Sequence, residues 1–326
     1  MPRLSIVIPC AGGAAEFDGT LVSVLAHRPP DAEVIVVHTE PYGDPYDLTG
    51  EVDFLQADGP HLVDLLNAGL ERSSGQIVHV LGCGMEAVEG WTAAAVAHFD
   101  DPEVAVVSPL LVAGDGRPTI EQDGQAIVAA GVRWTLSGAR RVVADRRLQL
   151  PGTARLRSRI LGPTLAAGFY RREVLMALGG FDGWIGDAHA DVELALAIRA
   201  LGGLHICEPA SLVHACAIEN MATKRGFGQG RGAERLFWRY ASSHGWPMCL
   251  ALHALALAGE LALAPFDAAR LKSLAGRAAG FCHFGAGRRN EERLSRAEQR
   301  LAELTELRTT IRMPAKSSAA PLRRAA

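Results

Sequence analysis

Runs of consecutive apolar residues alternate with amphipathic stretches through the first third of the chain. Leu4 to Pro9 (LSIVIP) is one such run, closed by proline and followed by Gly12 and Gly13, the pattern of a buried parallel strand that ends in a loop. Apolar residues at helical spacing follow from Phe17 to His27. Glu33 to Val37 (EVIVV) predicts a second buried strand, with a loop rich in Pro, Gly and Asp behind it. Val52 to Leu55 reads as a short third strand, Leu62 to Arg72 as an amphipathic helix, Gln76 to Leu81 as a fourth strand and Val104 to Val112 as a fifth. This alternation predicts a doubly wound, mostly parallel sheet of the α/β class. Such sheets bind ligands at the carboxyl ends of their strands, which places Cys10 to Gly13, His38 to Glu40 and Gly82 to Met85 around one crevice.

The pattern loosens between Ala113 and Pro163, where glycine and arginine accumulate and a small antiparallel insert is expected. Ala166 to Phe169 reads as a strand and Arg172 to Leu178 as a short helix. Asp191 to Leu201 is a helix stopped by Gly202 and Gly203. An extended segment runs from His205 towards His214, and from Ala233 onward the periodicity is helical. Met248 to Pro265 is almost wholly apolar, broken by His253 and Glu260. It is marginal in length for a membrane span, and a buried helix is favoured over one lying on a membrane surface. Glu291 to Arg312 is highly charged, with leucines at helical spacing, and predicts an exposed or self-associating helix. The last residues, 314–326, are expected to be disordered.

Composition adds exclusions. The 326 residues are 48% hydrophobic and 21% charged, an ordinary globular balance, and the net charge of -3 supplies no basic field for nucleic acid. Six cysteines are scattered without a C-x-x-C pair, so reduced thiols are expected. The spacings His205-x-Cys207 and His214-x-Cys216 match no structural zinc pattern. No apolar leader precedes the first strand, so a cytoplasmic location is expected, peripheral at the inner membrane face if residues 248–265 touch lipid. No G-x-G-x-x-G follows the first strand, which sets a dinucleotide-binding dehydrogenase aside.

Several segments, taken in order, resemble the family 2 glycosyltransferases of GT-A fold. They are LSIVIPCAGG, EVIVVHTE, LLNAGLERSSGQIVHVL with its Asn-x-Gly helix, AAGFYRREVLMALGGFDGW, HADVELALAIRALGGLHI and LVHA, together spanning about residues 4 to 240. The resemblance implies a GT-A domain over 1–240, leaving 241–313 as a helical extension. It implies a nucleotide-sugar donor of UDP or GDP type, a glycan or other acceptor, and inverting transfer. Inversion needs a base on the face opposite the leaving group, and the departing diphosphate needs positive charge.

The resemblance also distributes roles over positions. The donor side falls on Pro9, Cys10 and Ala11, on His38 where the family has Asp, on Asn67, and on Gly82 and Gly84. His38 is either a hydrogen-bonding partner for base or ribose or an ordinary loop histidine. Gly82-Cys83-Gly84 stands where relatives carry the metal-binding Asp-x-Asp. Both carboxylates are absent, Glu86 lies just beyond, and a divalent metal is not expected to bind there in the ordinary way. Backbone N–H groups of this segment could instead face a phosphate. His214 corresponds to a metal- or diphosphate-site histidine of some relatives. The base segment reads Ala190-Asp191-Val192-Glu193, which makes Asp191 the candidate base, with Glu193 beside it. Asp191 reads equally as a carboxylate at a helix N-terminus. Gly180, Phe181, Asp182 and Trp184 fall on the acceptor side. Trp134, Trp238 and Trp246 join Trp184 as aromatics that could stack on a sugar or simply pack in the core. Lys224, Arg225 and Arg231, set among glycines, could neutralise a diphosphate in place of a metal or form a solvated loop. Loss of the acidic residues opens a second reading, a non-catalytic relative that acts as a binding or scaffold module.

Overall fold

The computed structural model describes residues 3–10, 14–40, 43–44, 46–114, 127–145, 160–216, 226–241, 246–281 and 286–312. Ten strands form one sheet: β1 (Leu4–Cys10), β2 (Glu33–His38), β3 (Val52–Gln56), β4 (Ile77–Leu81), β5 (Met85–Ala87), β6 (Val104–Ala113), β7 (Ile127–Trp134), β8 (Arg140–Asp145), β9 (Ala167–Arg171) and β10 (Leu204–Ala215). The main order is β3-β2-β1-β4-β9-β6-β10-β5, with β7 and β8 branching from β6 as an antiparallel pair. β3, β2, β1 and β4 are mutually parallel, as are β6 and β10. β9 runs antiparallel to both β4 and β6, and β5 antiparallel to β10. The sheet is thus mixed and mostly parallel along its main path.

The continuous apolar runs are strands buried on both faces. Ile6 and Ile8 point to one side, against Phe17 and Leu21 of α1 (Ala14–His27), Trp91 and Phe169. Val7 points to the other, against Leu65, Leu66 and Leu70 of α2 (Leu62–Arg72). Alternation at period two therefore divides one strand between two cores. A short α3 (Ala93–Ala97) lies on the first side. The second side also receives α4 (Arg172–Leu178) and α5 (Ala190–Ala200). Gly69 lets α2 close on the sheet, because a Cβ there would strike Val7.

Past the sheet come α6 (Phe227–Tyr240), α7 (Trp246–Leu263), a 3-10 turn (Ala264–Phe266), α8 (Ala268–Phe281) and α9 (Ala286–Arg312). Two expectations change here. The favoured burial of 248–265 is not what the structure has: only Cys249, His253 and Ala264 of that stretch are buried, and Leu255, Leu261 and Leu263 face outward. An all-apolar composition fits a core and a lipid-facing surface equally, and here too little protein surrounds the helix to form a core. The charged helix at 291–312 is exposed over most of its surface but docked along one stripe. Leu294, Ala297 and Leu301 pack into the second core, so α9 returns to the body of the domain. The tail 314–326 lies outside the described residues.

Candidate functional site

Cys10, His38 and Leu81 end three adjacent parallel strands, and Cys10 and His38 are register partners. The loop 82–84 follows β4 at the same edge. His214 and Ala215 arrive there on β10, with Glu86 of β5 directly opposite His214. The topology therefore collects Pro9, Cys10, His38, Gly82, Gly84, Glu86 and His214 at one edge of the sheet. Ala11 lies outside the described residues, as do Lys224 and Arg225.

The glycine loop is closed on itself. The Gly82 N–H donates to the Ala166 carbonyl at 2.8 Å and the Gly84 N–H to Thr20 Oγ1 at 3.0 Å. The Met85 N–H donates to the Gly82 carbonyl, and Cys83 Sγ to the Pro9 carbonyl at 3.3 Å. The two glycine amides are thus committed to the fold and do not form an anion cradle. Among the described residues, no group of three His, Cys, Asp or Glu side chains could hold a metal. The loop 82–84 offers a single thiol, that of Cys83. Residues 82–84 carry no carboxylate with which to ligate an oxygen-liganded divalent cation.

The segment that follows α4 is organised by buried charge. Asn67 clamps the turn after α4 from both sides: its Nδ2 donates to the Phe181 carbonyl at 2.9 Å, and its Oδ1 accepts from the Phe181 N–H at 2.8 Å. Gly180, at φ +76°, approaches Asn67 Oδ1 so closely that a Cβ would collide with it. Asp182 accepts from Trp184 N–H at 2.9 Å and from Arg239 at 2.6 Å. Burial raises its pKa, but the guanidiniums of Arg239 and Arg293 outweigh that and hold it below the usual carboxylate range. Glu193, at 0% exposure, receives Arg239 at 2.9 Å, Arg293 at 2.6 Å and the Tyr240 hydroxyl at 3.1 Å. Arg293 also donates to the Leu178 and Gly180 carbonyls. Asp182 and Glu193 thus share Arg239 and Arg293, and one buried and one partly buried acid are neutralised by two bases.

Asp191 is buried, at 2% exposure, with both carboxylate oxygens in the fork of Arg140: Nε lies 2.9 and 3.0 Å away and Nη2 2.6 Å away. His189, just before α5, is held neutral, its pKa pushed down to about 3 by burial and by Arg140 and Arg277. Trp184 lies beneath two cations, with Arg235 at 4.4 Å and Arg239 at 4.9 Å from its ring. Arg231, Arg235 and Arg239 follow one another at intervals of four along α6, so they share a face. Burial and the neighbouring Arg231 and Arg239 pull the pKa of Arg235 down.

No family model matches the chain, and no curated protein matches it. Solved structures do. GalNAc-T7, crystallised with UDP, GalNAc and manganese, superposes at a TM-score of 0.55 and 19% identity, over 74% of this chain and 49% of that one. The architecture is the GT-A glycosyltransferase fold. The mannosyltransferase PcManGT from Pyrobaculum calidifontis, in complex with GDP-Man and manganese, matches at 0.47 and 17% identity, covering 87% of each chain. S. aureus TarS matches at 0.47 and 14%, over 73% of this chain and 39% of that one. The chain spans about half the length of the GalNAc-T7 chain.

Within the GT-A frame, sequence reasoning found Asp182, Asp191 and Glu193 but missed the arginines bound to them. Arg140 sits in the irregular middle of the chain, and Arg293 in a helix read as exposed. Arg235 and Arg239 carried a legible signal, since they extend the spacing of Arg231 by one turn each. Trp134 packs partly buried between two core clusters, and Trp238 donates its Nε1 to Glu234 at 2.7 Å, so both serve packing. Trp246 packs edge-on against Trp238, 5.7 Å away.

Proposed function

We propose that this GT-A chain binds a nucleotide-sugar of UDP or GDP type at the carboxyl edge of β1, β2 and β4. The proposed reaction is inverting transfer of the sugar to a glycan or other acceptor. The observation that carries the reading is the convergence of the carboxyl ends of those strands with His214 at one edge of a GT-A sheet. In this reading the departing diphosphate is met by arginine and lysine: Arg231 on α6, with Lys224 and Arg225 just before it in sequence. Guanidiniums supply bidentate donors and a fixed positive charge without metal geometry. Asp191 takes the acceptor hydroxyl's proton in this scheme, and the acceptor competes with Arg140 for its oxygens.

That competition favours one alternative, a non-catalytic binding module, because the candidate base is fully engaged in the resting fold. Calorimetry with UDP, GDP and their sugars, first with Mn2+ and then with EDTA, tests the donor site. Binding that survives EDTA and is lost in Arg231→Ala supports it, whereas absence of binding to every nucleotide refutes it. Release of UDP or GDP from the bound sugar then separates enzyme from binding module. Turnover abolished by Asp191→Asn supports the transferase, and binding without turnover in the presence of glycan acceptors supports the module.

A further inference from the structure

We propose that α7 and the turn that follows it form a docking surface for an anionic phospholipid bilayer, lying on the membrane without crossing it. The helix and turn, Trp246–Phe266, are apolar enough to span a bilayer, with 21 residues and mean hydropathy 1.7. Yet only Cys249, His253 and Ala264 of that stretch are buried in the fold. Every exposed side chain in it is apolar, among them Met248, Leu255, Leu261, Leu263 and Phe266, the last 87% exposed.

The shape of the exposed surface selects the occupant. Three consecutive residues, Ala254 to Ala256, are exposed, and again Leu261 to Leu263. At about 100° per residue, three in a row sweep an arc of roughly 200°. A partner protein or a second copy covers a narrower stripe, with polar flanks marking its rim. This helix has no polar flank on its outer arc. A fluid apolar phase wraps such an arc, and a flat protein face does not. The inner side shows why the helix lies on the surface. His253 Nδ1 is 2.9 Å from the Ser137 carbonyl and its Nε2 is 3.2 Å from Glu234, while Glu260 pairs with Arg277 at 2.9 Å. Crossing the bilayer breaks all of these contacts. Trp246 and Phe266 stand at the two ends, where aromatic side chains favour the interface.

Charge sets the lipid class. Between Trp246 and Phe281 the chain has two acids, Glu260 and Asp267, and both are neutralised, by Arg277 and Arg270. Lys272 is exposed beside exposed Leu271 on the next helix. Lys272 thus adds an exposed positive charge on the helix that follows the apolar surface, which suits an anionic headgroup layer.

The test is cosedimentation of the full chain with vesicles of phosphatidylcholine alone or mixed with phosphatidylglycerol. The wild type should pellet with the mixed vesicles, less so at high salt, and less with phosphatidylcholine alone. The variant Leu255→Glu/Leu261→Glu/Phe266→Glu should lose about tenfold or more of its binding, since each side chain buried in lipid contributes a large factor. Its circular dichroism should be unchanged, because all three side chains are exposed. Val22→Glu, an exposed apolar position on α1, should bind as the wild type does. Three results overturn the proposal: wild type left in the supernatant, equal binding by the triple and Val22 variants, or a dimer without vesicles that the triple variant dissociates.

Discussion

Replacing Arg293 with Met leaves a buried carboxylate one cation short, and the cost can be worked from the contacts around it. Glu193 is fully buried and takes Arg293 at 2.6 Å. Orphaning a buried charge costs about 3–5 kcal/mol. Here Arg239 and Tyr240 remain, at 2.9 and 3.1 Å, so the electrostatic loss falls below that range, to about 1 kcal/mol. The guanidinium also releases the Leu178 and Gly180 carbonyls, at roughly 1 kcal/mol for each bond. A total of about 3 kcal/mol is expected. With a urea slope of about 3 kcal/mol per molar, the unfolding midpoint should fall by about 1 M, read by circular dichroism. Adding Glu193→Gln to Arg293→Met removes the orphaned charge and should restore about 1–2 kcal/mol, a coupling that a double-mutant cycle isolates. A midpoint for Arg293→Met within about 0.2 M of wild type would refute the reasoning, since α9 would then not be shielding Glu193.

Gly180→Ala should cost about 2 kcal/mol, from a positive φ forced on a side chain and from displacing the Asn67 clamp, and thermal melting checks it. Stability should fall as pH drops. Burial pushes His79 down to about 3, and burial with Arg140 and Arg277 does the same to His189, so the unfolded chain takes up protons first once pH passes below about 6.5. Asp182 and Glu234 are held below their ordinary range and add a loss of the same sign further down. Urea midpoints measured from about pH 7 to pH 5 should decline, and His79→Phe should decline less. Arg140→Ala should destabilise by about 3 kcal/mol, because it removes the guanidinium from both oxygens of buried Asp191, and Asp191→Asn in the same chain should recover part of that in the urea midpoint.

The sequence made the parallel half of the sheet readable because β1, β2 and β4 are buried on both faces, and burial on both faces writes a continuous apolar run. β5 is three residues long and leaves no period to detect. β9 was legible as a strand, but its insertion between β4 and β6 was not, because that pairing is decided by tertiary contacts. The site shows the same division. Asn67, Gly180 and Asp182 stood out by resemblance, yet what Asn67 does, clamping the Phe181 backbone, became visible only when α2 and the turn after α4 were placed together. The partners of Asp191 and Glu193 lie 51, 46 and 100 positions away, a separation no local pattern records. The outward face of α7 escaped because composition reports how apolar a helix is and not what surrounds it.

The separation between Glu193 and Arg293 also bears on how the chain is made. A ribosome delivers the sheet and α5 well before α9, so the nascent domain holds Glu193 with Arg239 and Tyr240 alone until the last helix emerges. Charge balance around Glu193 is completed by a residue synthesised 100 positions later. A message truncated after α8 yields a body that has its strands but lacks its last counterion, and quality control should meet it as a loosened fold.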